Sequence, residues 1–113
     1  MTARERKRRK IHARYGGRCG YCGKEIAYKD MQVDHMKPKW LDGSDEAENL
    51  MPSCRSCNHY KRGIGSIELF REYMSTLHER VAKPYINRVA VDYGIITIEQ
   101  FDGKFYFEKE EEQ

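Results

Sequence analysis

The sequence predicts a small α+β domain stapled by a metal, and three observations predict it. The four cysteines fall into two C-x-x-C pairs, Cys19-Gly-Tyr-Cys22 and Cys54-Arg-Ser-Cys57. The 31 residues between the pairs read as strand, loop and strand, and the second pair opens a helix. A basic helix precedes this core; two amphipathic helices and a β-hairpin follow it. At 113 residues, 39% apolar and 35% charged, the chain has room for only a small core. A structural metal is one way to hold such a core together.

Taken in order, residues 2–15 form the basic helix. Good helix formers dominate it, Ile11 and Tyr15 share one face, and Gly16-Gly17 ends it. Arg18 to Gly23 is a tight knuckle whose glycines permit the turn. Ile26-Ala27-Tyr28 reads as a short strand, and Met31-Gln32-Val33 as another that delivers Asp34-His35. Lys37-Pro38-Lys39 breaks regular structure and Asp42-Gly43 turns the chain. Asn49-Leu50-Met51 returns as a strand that Pro52 ends. Cys54 to Lys61 is a helix with Asn58 in its early turns.

Beyond Gly63-Ile64-Gly65, the joint between a core at 1–63 and an extension at 64–113, Ser66 to Val81 predicts one helix. Phe70, Tyr73, Met74, Leu77 and Val81 form its apolar stripe, and Ser66 caps it. Lys83 to Tyr93 predicts a second, with Pro84 at its first position, Gly94 just past its end, and Ile86, Val89, Ala90 and Tyr93 facing inward. Asp102-Gly103 between Ile95–Phe101 and Lys104–Glu108 signals the hairpin. Phe105 and Phe107 alternate with Tyr106 there, so one face is buried. Lys109 to Gln113 reads as frayed.

The net charge of +3 is unevenly spread. Residues 1–62 carry 15 Lys/Arg against 8 Asp/Glu, and residues 63–113 carry 6 against 10. The positive half is the half with the paired cysteines, which is where a polyanion would bind. Arg6, Lys7, Arg8 and Lys10 in the first helix, with Lys37, Lys39, Lys61 and Arg62 nearby, are the candidate phosphate contacts. No stretch is long and apolar enough to span a membrane and no N-terminal apolar run suggests a signal peptide. The expected compartment is therefore the reducing cytoplasm, where paired cysteines favour zinc over disulfides.

Cys19, Cys22, Cys54 and Cys57 together make a four-thiolate zinc site. A filled tetrahedral sphere leaves no place for water, so such a site is structural. The gap between the pairs exceeds that of common zinc ribbons and points to an inserted functional loop. In that loop and just after it stand Asp34, His35, Asn49 and Asn58. Cleaving a phosphodiester at neutral pH needs a base, a hard cation and cationic side chains for the strand. His35 titrates near neutrality and can be the base. Asp34 and Asn58 offer oxygen ligands of the kind magnesium or manganese takes.

The joint pattern Asp34-His35, Asn49, Cys54-x-x-Cys57-Asn58 and Lys61 resembles the HNH nuclease family, also called the ββα-metal or His-Me finger. The resemblance covers about residues 15–63. It implies a hairpin and helix around one divalent ion, ligated by Asp34 and Asn58, with His35 activating water. Asn49 would brace the loop and orient His35. Pro38 and Gly43 match the family's loop. Two features depart from it. Colicin-type members carry a further His where this chain has Arg62, so water and substrate would complete the metal sphere. His59 directly follows Asn58, and the spacing from Asn49 favours Asn58 as the third motif residue. His59 is read as a phosphate contact or surface residue, His12 as surface and His78 as structural. Residues 64–113 resemble C-terminal extensions of small phage and bacterial HNH proteins.

The reading is a magnesium- or manganese-dependent endonuclease of double-stranded DNA that nicks one strand per active site, in a bacterial cell or phage-infected host. It acts as monomer or homodimer, with a protein partner for the extension in view. A zinc-knuckle nucleic-acid binder without catalysis is the alternative, and the Asp34, His35 and Asn58 trio speaks against it. A structural zinc module that binds another protein is a third; its mark would be an exposed apolar face in the C-terminal half.

Overall fold

A computed structural model of the chain describes residues 1–111. Helix α1 spans Ala3–Ala13. Thr2 starts it, its hydroxyl accepting from the Glu5 N–H at 3.1 Å. Gly16 and Gly17 follow it with φ of 65° and 78°. Ile11 is its buried residue. Guanidinium groups dock the rest: Arg8 donates to the Met31 carbonyl at 2.7 Å and Arg14 to those of Leu50 and Ala47 at 2.8 and 2.6 Å.

Strands β1 (Gln32–His35) and β2 (Leu50–Ser53) pair antiparallel, with Asp34 opposite Met51 and His35 opposite Leu50. Every residue of β2 is buried. The knuckle lies against it, the Gly20 N–H donating to the Pro52 carbonyl at 2.8 Å. Glycine is required there, since a Cβ would come within 2.1 Å of the Met51 sulfur. Helix α2, Arg55–Lys61, leaves β2 through Cys54, whose Sγ accepts from the Cys57 N–H at 3.3 Å. Strand, loop, strand and helix thus run in the expected order.

Two compact units emerge. One comprises residues 1–67 with the segment from Phe105 onward, and the other Glu68–Lys104. The second holds α4, Leu77–Ala82, packed on α5, Tyr85–Asp92, and nearly all of α3, Ile67–Ser75. Helix α5 closes with Gly94 at φ 73°. The Gly94 N–H reaches the Val91 carbonyl at 3.0 Å and the Ile95 N–H that of Ala90 at 2.8 Å, a Schellman closure. Helix α6, Tyr106–Glu111, belongs to the first unit.

Several expectations need correction. The C-terminal hairpin does not form. The Asp102 carboxylate accepts from the Lys104 N–H at 3.0 Å and Gly103 adopts φ 89°, so the turn is present without strands. The chain beyond it is claimed by the knuckle instead: the Tyr106 and Phe107 N–H groups donate to the carbonyls of Tyr21 and Gly20 at 3.0 and 2.8 Å. Glu108 reaches back to the Phe105 N–H at 2.9 Å, half of a capping box that starts α6. Lys109 to Glu111 are therefore helical, and residues 112–113 lie outside the described residues. Phe105 and Phe107 are buried as expected.

The single helix over 66–81 is two, broken at Thr76, where the Ser75 and Thr76 hydroxyls bond back to the Glu72 and Tyr73 carbonyls at 2.5 and 3.3 Å. Pro84 is the cap of α5 and lies outside its first turn. The face expected inward on α5 is open, with Ile86 and Tyr93 76% and 79% exposed. Ile26-Ala27-Tyr28 forms no strand; only an isolated bridge joins Arg18 to Glu25. Pro52 lies inside β2, not past its end. A two-stranded sheet is all edge, where a missing N–H is tolerated.

Candidate active site

The four cysteine sulfurs lie within 4.8 Å of one another. Cys22 and Cys54 stand 3.9 Å apart, close to the separation of sulfurs sharing one tetrahedral zinc at ~2.3 Å bonds. Cys19 and Cys54 are buried, and Cys22 is exposed. The sulfurs bias one another: a hydrogen bond from Cys57 holds the Cys19 thiol down at about 4. The same contact pushes Cys57 up, and burial pushes Cys22 up. The donor set and its spacing fit a structural metal such as zinc.

Beside this cluster the knuckle reaches β1. The Tyr21 hydroxyl donates to Oδ2 of Asp34. Burial, then the Asp34 charge, raise the Tyr21 phenol far above its ordinary value, so it stays a donor. The Lys61 ammonium meets the same Oδ2 at 3.1 Å and approaches the His35 carbonyl at 3.3 Å. Tyr21 and Lys61 are each 4% exposed. Lys61 was read as a phosphate contact; this is a correction, because its charge is turned inward onto Asp34. The contacts of Tyr21 and Lys61 to Asp34 both fall on one carboxylate oxygen.

His35 ends β1. Its Nε2 lies 2.7 Å from Oδ1 of Asp45. An ionised carboxylate only accepts, so Nε2 carries a hydrogen, which in the neutral ring leaves the lone pair on Nδ1. Hydrogen bonds from His35 and then from Lys39, which stands 3.2 Å away, hold the Asp45 carboxyl below its ordinary value. The Asn49 side chain spans the loop. It accepts from the Lys37 N–H at 2.9 Å and donates to the carbonyls of Lys37 and Ser44 at 3.0 and 2.7 Å.

Asp34, His35, Asn58 and His59 line one open cavity of about 730 Å³, together with Lys39, Trp40, Arg55, Lys61 and Arg62. Asn58 is half-buried and His59 exposed. Of the cations in α1, Lys10 is exposed. Arg6 bonds the Met1 carbonyl at 2.8 Å and Lys7 that of Asp45 at 2.5 Å. Arg8 is half-buried and ties α1 to the segment before β1. Lys37, Lys39 and Arg62 are exposed.

Four residues of this site escape sequence reasoning. Tyr21, Asp45, Arg55 and Trp40 stand outside the motif residues. Only the position of Tyr21 between two cysteines hints at its task. The others acquire their roles by folding of the loop.

The family model for HNH endonuclease matches residues 19–62. A stretch of 44 residues is 39% identical to the CRISPR-associated endonuclease Cas9 of Corynebacterium diphtheriae. That match covers 38% of this chain and 4% of that much longer protein. The family match encloses the paired strands, the bracing Asn49 and the helix carrying Asn58. Residues 19–62, from the first knuckle cysteine to just past the end of α2, are thus the part of this chain that matches the HNH endonuclease family.

Proposed function

We propose that the chain is a divalent-metal-dependent endonuclease that hydrolyses one strand of double-stranded DNA per active site. The observation that carries this reading is the meeting of Asp34, His35 and Asn58 on one cavity with exposed cations around it. Asp34 and Asn58 hold the ion, magnesium or manganese; hard oxygen donors suit either. The ion, when bound, supplies charge stabilisation for the phosphate and the leaving oxygen. His35 takes the proton of a water at Nδ1, and the hydroxide attacks phosphorus as the P–O bond to the leaving strand end breaks. Asp45 holds the ring through Nε2, and Asn49 holds the loop that carries Asp45. Lys10, Lys37, Lys39 and Arg62 hold the phosphates. Zinc in the four-cysteine site supports the fold and takes no part in the chemistry.

In this reading residues 1–63 do the chemistry and residues 64–113 are an extension. The domain works as monomer or homodimer in the cytoplasm of a bacterial cell or phage-infected host. Among the described residues, no helix is long and apolar enough to cross a membrane. A protein partner for the extension is the second reading, favoured by Tyr85, Ile86, Tyr93 and Ile95, all more than 70% exposed. The test of the nuclease reading is supercoiled plasmid incubated with the protein and added magnesium or manganese. Nicked circles should appear, and should not appear with EDTA. Binding without nicking under every metal would leave the zinc-knuckle binder in its place.

A further inference from the structure

Trp40 is the one tryptophan of the chain and is 67% exposed. It lines the same cavity as His35 and Asn58, in company with Lys39, Arg55, His59 and Arg62, all of them exposed. Its turn, Lys39–Leu41, is rigidly made. Pro38 accepts from the N–H groups of Leu41 and Gly43, each at 2.9 Å, and Asp42 takes a left-handed φ of 65°. A Cβ on Gly43 would fall 1.7 Å from the Lys37 carbonyl oxygen, so this tight return admits only glycine. Gly65 lies beside one edge of the indole and leaves room for it: a Cβ there would be 3.5 Å from Cη2.

A large flat ring held open to solvent within a cationic, catalytic cavity has one ligand class that satisfies both features. A nucleobase has a π-face for the ring, and its phosphates meet the cations. Bases stacked and paired within a duplex offer no free face. We propose that Trp40 stacks on an unpaired nucleobase next to the scissile phosphate. The chain then prefers DNA whose strand is single or locally opened there. This rests on the nuclease reading above and adds a substrate form to it. In a fully paired duplex the base must first leave its stack, and that requirement discriminates between substrates.

Because Trp40 is the sole tryptophan, emission excited at the red edge of indole absorption, where the eight tyrosines do not absorb, reports on it alone. The experiment uses His35→Ala protein, to prevent turnover, titrated with three probes: a 20-nucleotide oligothymidine, a duplex with a central unpaired bubble, and the same duplex fully paired. The expected result is strong quenching by the first two and little by the third. In the same background Trp40→Ala should weaken oligothymidine binding by roughly five- to a hundredfold. Its salt dependence should stay unchanged, since no phosphate contact is lost. Trp40→Phe should retain most affinity and Trp40→Leu should not, which separates stacking from mere apolar bulk. Equal quenching by the paired duplex overturns the preference for unpaired bases. No quenching in a protein that binds DNA, with wild-type Trp40 protein still cleaving it, overturns the stacking role and leaves the nuclease reading standing. Failure to bind or cleave any of the three DNAs sinks the nuclease reading itself, and this inference with it.

Discussion

The Lys61 ammonium lies 3.1 Å from Oδ2 of Asp34, with side chains only 4% and 14% exposed. A cation inside the protein thus holds the carboxylate proposed to ligate the metal. Removing one partner of a buried ion pair leaves the other charge uncompensated. Lys61→Met should therefore destabilise the fold by about 3–5 kcal/mol. Adding Asp34→Asn should recover part of that loss, because the stranded charge is gone. Urea unfolding of the two single variants and the double variant measures it. Strictly additive losses would show that the pair is not coupled.

The zinc site makes a second prediction. Cys19 and Cys54 are buried at the junction of knuckle, β2 and α2. Metal binding in small zinc domains contributes folding free energy of ~10–16 kcal/mol. Cys19→Ser or Cys54→Ser should lose zinc and unfold or aggregate. Elemental analysis with circular dichroism checks this; wild-type protein free of zinc yet folded and active would refute it.

The N-terminal helix divides its cations. Arg8 is bonded to the Met31 carbonyl, and Lys10 is exposed. Arg8→Ala should cost stability by about 1–3 kcal/mol through lost hydrogen bonds of a charged donor. Lys10→Ala should leave stability unchanged, weaken DNA binding across all sequences and reduce the salt slope by about one. Thermal melts and fluorescence anisotropy at several salt concentrations separate the two. An unchanged salt slope in Lys10→Ala would mean that α1 does not lie on DNA.

What the sequence made legible was local. Paired cysteines, the Gly16-Gly17 stop and the run from Gln32 to Lys61 each carry their signal within a few residues. The missing hairpin shows the limit. Asp102-Gly103 makes its turn, yet Tyr106 and Phe107 bond to knuckle carbonyls some 85 residues earlier in the chain. Phe105 and Phe107 also set their rings edge-on to Tyr21, at 5.4 and 6.3 Å. Tertiary demand overrode a strong turn signal. The inward Lys61 was hidden for a like reason, since on a short basic helix nothing local distinguishes a surface lysine from one aimed at a buried carboxylate. Asp45 found His35 through a loop without periodicity. Asn58, Asp34 and His35 line one cavity.

The central claim, that His35 is the base and Asn58 a metal ligand, is tested most directly by plasmid nicking over a metal titration. Wild type, His35→Ala, Asn58→Ala and His59→Ala are compared, with DNA affinity measured alongside. His35→Ala should lose ~10²–10⁴ in rate at every metal concentration while keeping its fold and DNA affinity. Asn58→Ala should need more magnesium or manganese and recover in part as either rises. His59→Ala should stay nearest to wild type. Nicking by His35→Ala at the wild-type rate would contradict the account outright. A dead His59→Ala beside an active Asn58→Ala would move the ligand one residue along α2.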